Sequence, residues 1–463
     1  MNKTNFDLNN FVNNKKVLVF GLGVSGLSAI RFLSSQKAQI WAVNSGSVDS
    51  WATQEVLQYL DKSQCFSEND PQLNMVLNEI ELVILSPGIP GDHPLLKDNP
   101  HFQSIPIWGE LELAYRYLEM TNQLKPIIGI TGTNGKTTTT TFLGEMIEAS
   151  GKKVFVGGNI GVPFCDYALD VYNSKPASDF ILLELSSFQL ESLDHFHVDI
   201  AIILNLYQNH GERYEKIEDY GRSKFNITNR FTDRDVLIYP ENFPLIAVWA
   251  STQVGIKFCV HTDHPTKNPM TDYDLTKFKL PGIHNLVNLN FILLAAGVLK
   301  LPKSAIQYSI DHFAGVHHRI EYVSDVSGFA QSVVAFNDAK STNWDATITA
   351  VKAMESLPGQ LFLIIGGKKR GHGDSIIPYL DFLKTRVHQF YLIGEMAQEI
   401  EAELKGIVDY KLTNTLEETL KDMRSLKSSE QAILLFSPGF PSFDQFKNYS
   451  HRGEHYMNLL RNL

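Results

Sequence analysis

The run Gly129-Ile130-Thr131-Gly132-Thr133-Asn134-Gly135-Lys136-Thr137-Thr138 combines the residue types needed to hold a chain of phosphates. Backbone N–H groups of a glycine-bearing turn and a helix N-terminus face the anion. Lys136 neutralises outer phosphate charge, and the Thr137 hydroxyl can hold Mg²⁺. The spacing is not that of the common P-loop, because Ile130 stands where that pattern needs glycine. Gly132 carries the turn instead.

Four other groupings could do chemistry. Glu184, in Leu183-Glu184-Leu185-Ser186-Ser187-Phe188-Gln189, ends an apolar strand, where a carboxylate is costly unless it is paired or binds metal. His210 closes Asn205-Leu206-Tyr207-Gln208-Asn209-His210 after the next strand, a placement that makes it a metal-ligand candidate although a lone histidine is usually structural. Gly21-x-Gly23-x-x-Gly26 invites a dinucleotide reading, but the acid expected after the second strand is replaced by Asn44-Ser45, whose amide suits a nucleobase or sugar edge as well. His284-Asn285-x-x-Asn288 opens an apolar helix. Its two amides share a face and could read a base edge, or Asn285 could cap the helix.

These groups need a scaffold that carries strand ends to one place. Apolar runs at Lys16–Phe20, Gln39–Val43 and Leu82–Leu85, then Pro126–Ile130, Phe180–Leu183 and Ile200–Leu204, alternate with helical stretches, as in parallel sheets. A weaker strand signal lies at Val254–Val260. Leu286–Leu299 reads as an apolar helix, and Leu361–Ile365, Phe390–Ile393 and Ala432–Phe436 as strands of a further unit. The pattern predicts an α/β protein of three domains: residues 1–122, nucleotide-binding; 123–315, built around the phosphate loop; and 316–463.

At 463 residues the chain exceeds one ordinary core, and 43% hydrophobic with 20% charged residues fits a globular protein. The polar start and the short apolar runs predict neither a signal peptide nor a membrane span. Three scattered cysteines give no metal or disulfide spacing, so reduced thiols and a cytoplasmic location are expected. A net charge of −10 argues against nucleic acid or an anionic membrane as partner. Anionic substrates would then depend on local cations.

The form Thr-Gly-Thr-Asn-Gly-Lys-Thr, with the motifs above, resembles the Mur ligases, which build the peptide stem of bacterial peptidoglycan, and the match runs from about Lys16 to the C-terminus. The resemblance is closest to the glutamate-adding branch. It implies an N-terminal Rossmann-like domain for the UDP substrate, a central P-loop ATPase-like domain, and a C-terminal Rossmann-like domain for glutamate. The implied reaction is ADP-forming amide ligation of D-glutamate to UDP-N-acetylmuramoyl-L-alanine by a monomer, with ATP and two Mg²⁺ sites.

By this resemblance Gly132, Thr133, Asn134, Gly135, Lys136, Thr137, Thr138, Asn285, Asn288, Arg319 and Asp338 serve ATP. Val24, Ser25, Asn44, Ser45, Ser86, Pro87, Gly88, Asn159, Ser186 and Gln189 serve the UDP substrate, although the family often has Asp at the Asn44 position. Thr137, Glu184 and His210 hold metal, joined by Lys224 as a carbamate. From sequence alone Lys224 would be a solvated helix lysine. Lys340, Thr342, Arg370, Ser442 and Phe443 hold glutamate, with arginine suited to bidentate capture of a carboxylate. Family members often carry Glu-Asp where Gln208-Asn209 stand. The loop Gly371–Gly373 is slightly longer than is usual. A folylpolyglutamate synthase would lack the UDP-type first domain, and a nicotinamide oxidoreductase would leave the phosphate loop, Glu184 and Asp338–Lys340 idle.

Overall fold

The protein is described by a computed structural model that covers residues 11–51, 54–211, 213–264, 270–324, 326, 329, 333–371, 374–424 and 431–462. Three sheets form in chain order. The first contains β1 (Lys16–Phe20), β2 (Gln39–Asn44), β3 (Cys65–Ser67), β4 (Leu82–Leu85) and β5 (Ile107–Trp108), in the order β3-β2-β1-β4-β5. All its pairings are parallel, with Phe20 of β1 opposite Val43 and Leu85. Helices cover such a sheet on both faces, which is why β1 and β4 read as unbroken apolar runs. At the turn after β1 a Cβ on Gly26 would collide with the Gly21 carbonyl. The third glycine therefore lets the helix Val24–Ser35 close onto the strand end.

The second sheet contains β6 (Ile127–Thr131), β7 (Val154–Gly158), β8 (Phe180–Glu184), β9 (Ile200–Ile203), β10 (Val236–Pro240) and β11 (Ile256–Val260). Its order is β11-β10-β9-β6-β8-β7, all parallel. One apolar core joins the first two sheets, drawing Phe32 and Leu33, Leu113 and Leu118, and Phe164 and Ala168 from three helices. Buried acids tie loops to this core. The Glu112 carboxylate accepts N–H bonds from Asp194, His195 and Phe196 and pairs with Arg116. Glu110 accepts from Cys165 N–H at the start of the helix Phe164–Tyr172, and burial pushes its carboxyl up to about 7.

The third sheet contains β12 (Glu321–Val323), β13 (Val333–Asn337), β14 (Gln360–Gly366), β15 (Val387–Ile393), β16 (Tyr410–Asn414) and β17 (Ala432–Gly439). Its order is β12-β13-β17-β14-β15-β16, and only β12 runs antiparallel to its neighbour. The chain divides into two compact units, Met1–Pro269 with Asn290–Ala305, and Met270–Leu289 with Ile306–Leu463. The first unit holds the first two sheets and the second holds the third.

Candidate active site

The phosphate loop leaves β6 and enters the helix Lys136–Ala149. Gly132 at φ +152° and Gly135 at φ +83° take conformations open mainly to glycine, and a Cβ at Gly132 would come within 3.0 Å of Leu204. Lys136 Nζ donates to the carbonyls of Gly132 at 2.9 Å and Thr133 at 3.0 Å. Glu184, at the end of the neighbouring β8, is buried. Its Oε2 accepts from Thr137 Oγ1 and its Oε1 from Asn159 Nδ2, each at 2.8 Å. The neighbouring strands β6, β8 and β7 thus bring three expected residues together. A hydroxyl and a carboxylate at hydrogen-bond distance beside a phosphate loop form a donor set that fits Mg²⁺.

Lys224 corrects the reading of a solvated helix lysine: only 2% of it is exposed. The helix Ile217–Phe225 turns Tyr220, Gly221 and Lys224 inward, and Gly221 is required because a Cβ there would strike the Trp249 ring. Lys224 Nζ donates to the Gly132 carbonyl at 2.9 Å and lies 4.3 Å from the Tyr220 ring centroid. Burial, assisted by Lys136 and opposed by Glu184, lowers its pKa to about 6. The amine is therefore neutral at pH 7 and nucleophilic. His210 adopts φ +56° and packs its ring 4.8 Å from Phe188 and 5.9 Å from the same Tyr220.

In the second unit the expected residues gather at the carboxyl ends of β13, β14 and β17, where open α/β sheets bind ligands. Asp338 accepts from Ser437 Oγ at 2.7 Å and Ile320 N–H at 3.2 Å, close enough to Arg319 to feel its charge. Burial nonetheless raises its carboxyl to about 7. Lys340 Nζ stands 5.5 Å from the Tyr449 ring centroid. Arg370 donates to the Thr342 carbonyl at 2.6 Å and pairs with Asp374 at 2.8 Å, so part of its fork is already taken. Ser442 is buried and Phe443 exposed, while His372 and Gly373 of the adjoining loop lie outside the described residues.

Comparison with known proteins decides the family. Residues 15–109 match the Mur ligase MurD-like N-terminal domain, and residues 130–296 match the Mur ligase middle domain. A UDP-N-acetylmuramoylalanine--D-glutamate ligase of Koribacter versatilis is 34% identical, covering 98% of each chain. One of Alkaliphilus metalliredigens is also 34% identical, over 97% of this chain and 98% of the relative. The chain belongs to the Mur ligase family. The fold agrees with the crystal structure of the Thermotoga maritima MurF ligase in complex with ADP, at a TM-score of 0.54 and 15% identity over 98% of this chain and 96% of that one.

In this Mur ligase the residues expected at the UDP substrate are partly occupied in holding their own loops. Asn44 Oδ1 accepts from Leu22 N–H at 3.2 Å, and Ser86 Oγ donates to the Gly21 carbonyl at 2.7 Å. Ser186 and Gln189 form a capping box on the helix Ser187–Glu191. Val24, Ser45 and Gly88 are exposed and Ser25 is half-buried at the same strand ends. Pro87 and Gln189 line one small cavity with Glu110. Asn285 Nδ2 donates to the Pro281 carbonyl at 2.6 Å, a bond that does not cap the helix N–H groups; Asn288 lies one turn on in the same helix, Ile283–Val298.

Two residues of this Mur ligase site escaped the sequence reading. Asn205 Oδ1 accepts from the N–H groups of both Thr133 (3.0 Å) and Asn134 (2.9 Å), and its Nδ2 returns a bond to the Asn134 carbonyl at 3.1 Å. It pins the phosphate loop, and the available signal was an amide just past the end of β9. Arg452 is buried and donates to the carbonyls of Ala339 and Phe440, each at 2.9 Å, joining the loops after β13 and β17. Nothing local in the sequence marks it. His197, Asp199 and Asp235 have metal-ligand spacing but sit at the starts of β9 and β10. There Asp199 accepts from Ile127 N–H, and Asp235 accepts from Thr232 N–H and pairs with His197.

Proposed function

We propose that the protein is an ADP-forming ligase that joins D-glutamate to UDP-N-acetylmuramoyl-L-alanine, acting as a cytoplasmic monomer in peptidoglycan precursor synthesis. The contact of Thr137 and Asn159 with Glu184 beside Lys136 carries this reading. It is a phosphate cradle joined to a metal-type donor set, in a chain whose relatives are named for that reaction.

The chemistry follows from the parts. A carboxylate does not condense with an amine in water, because oxide is a poor leaving group. Transfer of the ATP γ-phosphoryl group to the acceptor carboxylate gives an acyl phosphate and ADP. The glutamate amine then adds to the acyl carbon, and phosphate departs as the amide forms and the amine proton is lost. Both partners in the first step are anions, so Lys136, together with Mg²⁺ when bound, must offset their repulsion. Lys136 leaves its loop carbonyls for the phosphates. Thr137, Glu184 and His210, with Lys224 as a carbamate, would hold Mg²⁺ at two sites, where the ion would spread the charge of the transferring phosphoryl group. The neutral Lys224 amine is in the form that adds to CO₂, forming an N–C bond and releasing one proton, which replaces a buried cation by a carboxylate-like ligand. Asp338 and Arg319 serve ATP, while Lys340, Thr342, Arg370, Ser442 and Phe443 receive glutamate. The loops at Val24–Ser25, Asn44–Ser45 and Ser86–Gly88, with Asn159, Ser186 and Gln189, take the UDP substrate.

The deciding experiment is release of ADP from the purified protein. It should require both UDP-N-acetylmuramoyl-L-alanine and D-glutamate, with L-glutamate inert. ATP turnover indifferent to either co-substrate would exclude the assignment.

A further inference from the structure

Two aspartates stand side by side at the end of the second sheet opposite the phosphate loop. Ile200 pairs with Val236 across the ladder, so Asp199 and Asp235, each one residue earlier, meet at the amino ends of β9 and β10. Asp235 is 4% exposed and Asp199 half-buried, so solvent screens their repulsion poorly. Asp199 accepts from Ile127 N–H at 2.7 Å and Asp235 from Thr232 N–H at 2.5 Å. These donors are neutral and leave both charges in place. Among the described residues no lysine or arginine pairs with either carboxylate, and the ionisable partner is His197, whose Nε2 lies 2.9 Å from Asp235 Oδ2. Even protonated, one imidazole offsets one negative charge of two.

One ligand atom from each of His197, Asp199 and Asp235 lies within 4.8 Å of the others. Small side-chain rotations bring such a set to the roughly 2.0–2.2 Å bonds of zinc. We propose that these three residues form a Zn²⁺ site, separate from the active site, with solvent as the fourth ligand. The donor set chooses the metal: imidazole nitrogen suits zinc, whereas Mg²⁺ and Ca²⁺ favour oxygen alone. The two carboxylates match the charge of the ion. Nε2 gives its lone pair to the metal in place of the bond to Asp235, and the ring proton sits on Nδ1. The His197 side chain is a quarter exposed, which gives the ion a way in. Because Asp199 also holds the first N–H of β6, the metal ties together the amino ends of three adjacent strands, β10, β9 and β6. Neither the site nor its test depends on which reaction the chain catalyses.

The test uses the full chain, stripped with EDTA and returned to a millimolar excess of Mg²⁺. Zinc alone is the probe, and its binding is followed by equilibrium dialysis for wild type, His197→Ala and Glu184→Gln. Wild type should bind Zn²⁺ at micromolar free metal, and Glu184→Gln, altered only at the active site, should keep one such site. His197→Ala should lose more affinity than the roughly ten- to a hundred-fold that an outer-shell partner is worth. Zinc should raise the melting temperature of wild type and leave that of His197→Ala unmoved. In wild type the ion should also shield His197 from diethylpyrocarbonate, a reading that needs no variant to fold. Absence of binding to wild type, equal affinity in His197→Ala, or equal modification of His197 with and without zinc would each overturn the site. Binding lost in Glu184→Gln but kept in His197→Ala would move the ion to the phosphate loop and overturn it as well.

Discussion

The carboxyl ends of the second and third sheets hold their basic side chains differently. In the second sheet, Lys136 and Lys224 both end on one backbone carbonyl, that of Gly132. In the third, Arg370 ends on a carboxylate, Asp374, which also accepts the Arg370 and Gly371 N–H groups. A carbonyl is a weak partner that a lysine can leave for a phosphate. A carboxylate bound to both the guanidinium and its own loop fixes a direction. The first arrangement suits groups that must follow charge as it moves from ATP to the acceptor. The second suits recognition of a substrate whose carboxylates do not react.

The comparison breaks most plainly at Lys136. If it follows the moving charge, Lys136→Ala should lose turnover by about a thousand-fold or more, beyond the loss of one fixed donor. Its melting temperature should stay near wild type, since Lys136 donates to the Gly132 and Thr133 carbonyls of its own loop. Near-normal turnover at saturating ATP would end the cradle assignment.

Lys224 comes next. Lys224→Ala should be about a hundred- to a thousand-fold slower, and short carboxylic acids should restore part of the rate by standing in for the carbamate. A defect indifferent to such acids would leave Lys224 as a structural lysine and the carbamate would be wrong.

These two lysines also show what a sequence makes legible. The Lys136 loop declares itself because glycines, lysine and threonine must be contiguous to wrap phosphate, and strand and helix flank them. Lys224 does not, because its burial depends on how its helix packs, with Gly221 against Trp249 and Leu206, and on the Gly132 carbonyl that its amine meets, all outside its own segment. The inward spacing of Tyr220 and Lys224 is visible in hindsight, but polar neighbours such as Asp219 and Arg222 mask it. The strands show the same contrast. Central strands such as β1, β6 and β8 are read from apolar runs, whereas the edge strands β3, Cys-Phe-Ser, and β16, Tyr-Lys-Leu-Thr-Asn, are short or half polar and become strands through their neighbours. In the site, most residues proposed to touch ligands come from compact motifs. Those that hold motifs in place, Asn205 and Arg452, are set by tertiary contacts alone.

On the recognition side, Lys340→Ala tests whether the third sheet reads glutamate. Removing one partner of a buried carboxylate pair costs about 2–5 kcal/mol, a loss of roughly thirty- to several-thousand-fold. The KM for D-glutamate should rise by such a factor, and that for the UDP substrate should change little. A defect confined to ATP would transfer Lys340 to the nucleotide and erase the division of labour between the sheets.

A separate, thermodynamic effect concerns the neutral amine. Lys224 has a folded pKa of about 6, below the roughly 10.4 of an unfolded lysine. Between those values the unfolded chain holds a proton that the folded chain does not, so stability rises with pH by up to about 1.4 kcal/mol per unit. The cost of burying the amine is therefore fully present below pH 6 and fades as pH climbs toward 10. Lys224→Met fills the same space without a charge and lacks this term. In CO₂-depleted buffer, denaturant unfolding should find the Met variant more stable than wild type at pH 7, with the gap narrowing steadily to pH 9. A gap that does not change with pH would mean that Lys224 keeps its proton on folding. The amine would then be charged, poorly suited to take up CO₂, and the second sheet would hold two fixed cations.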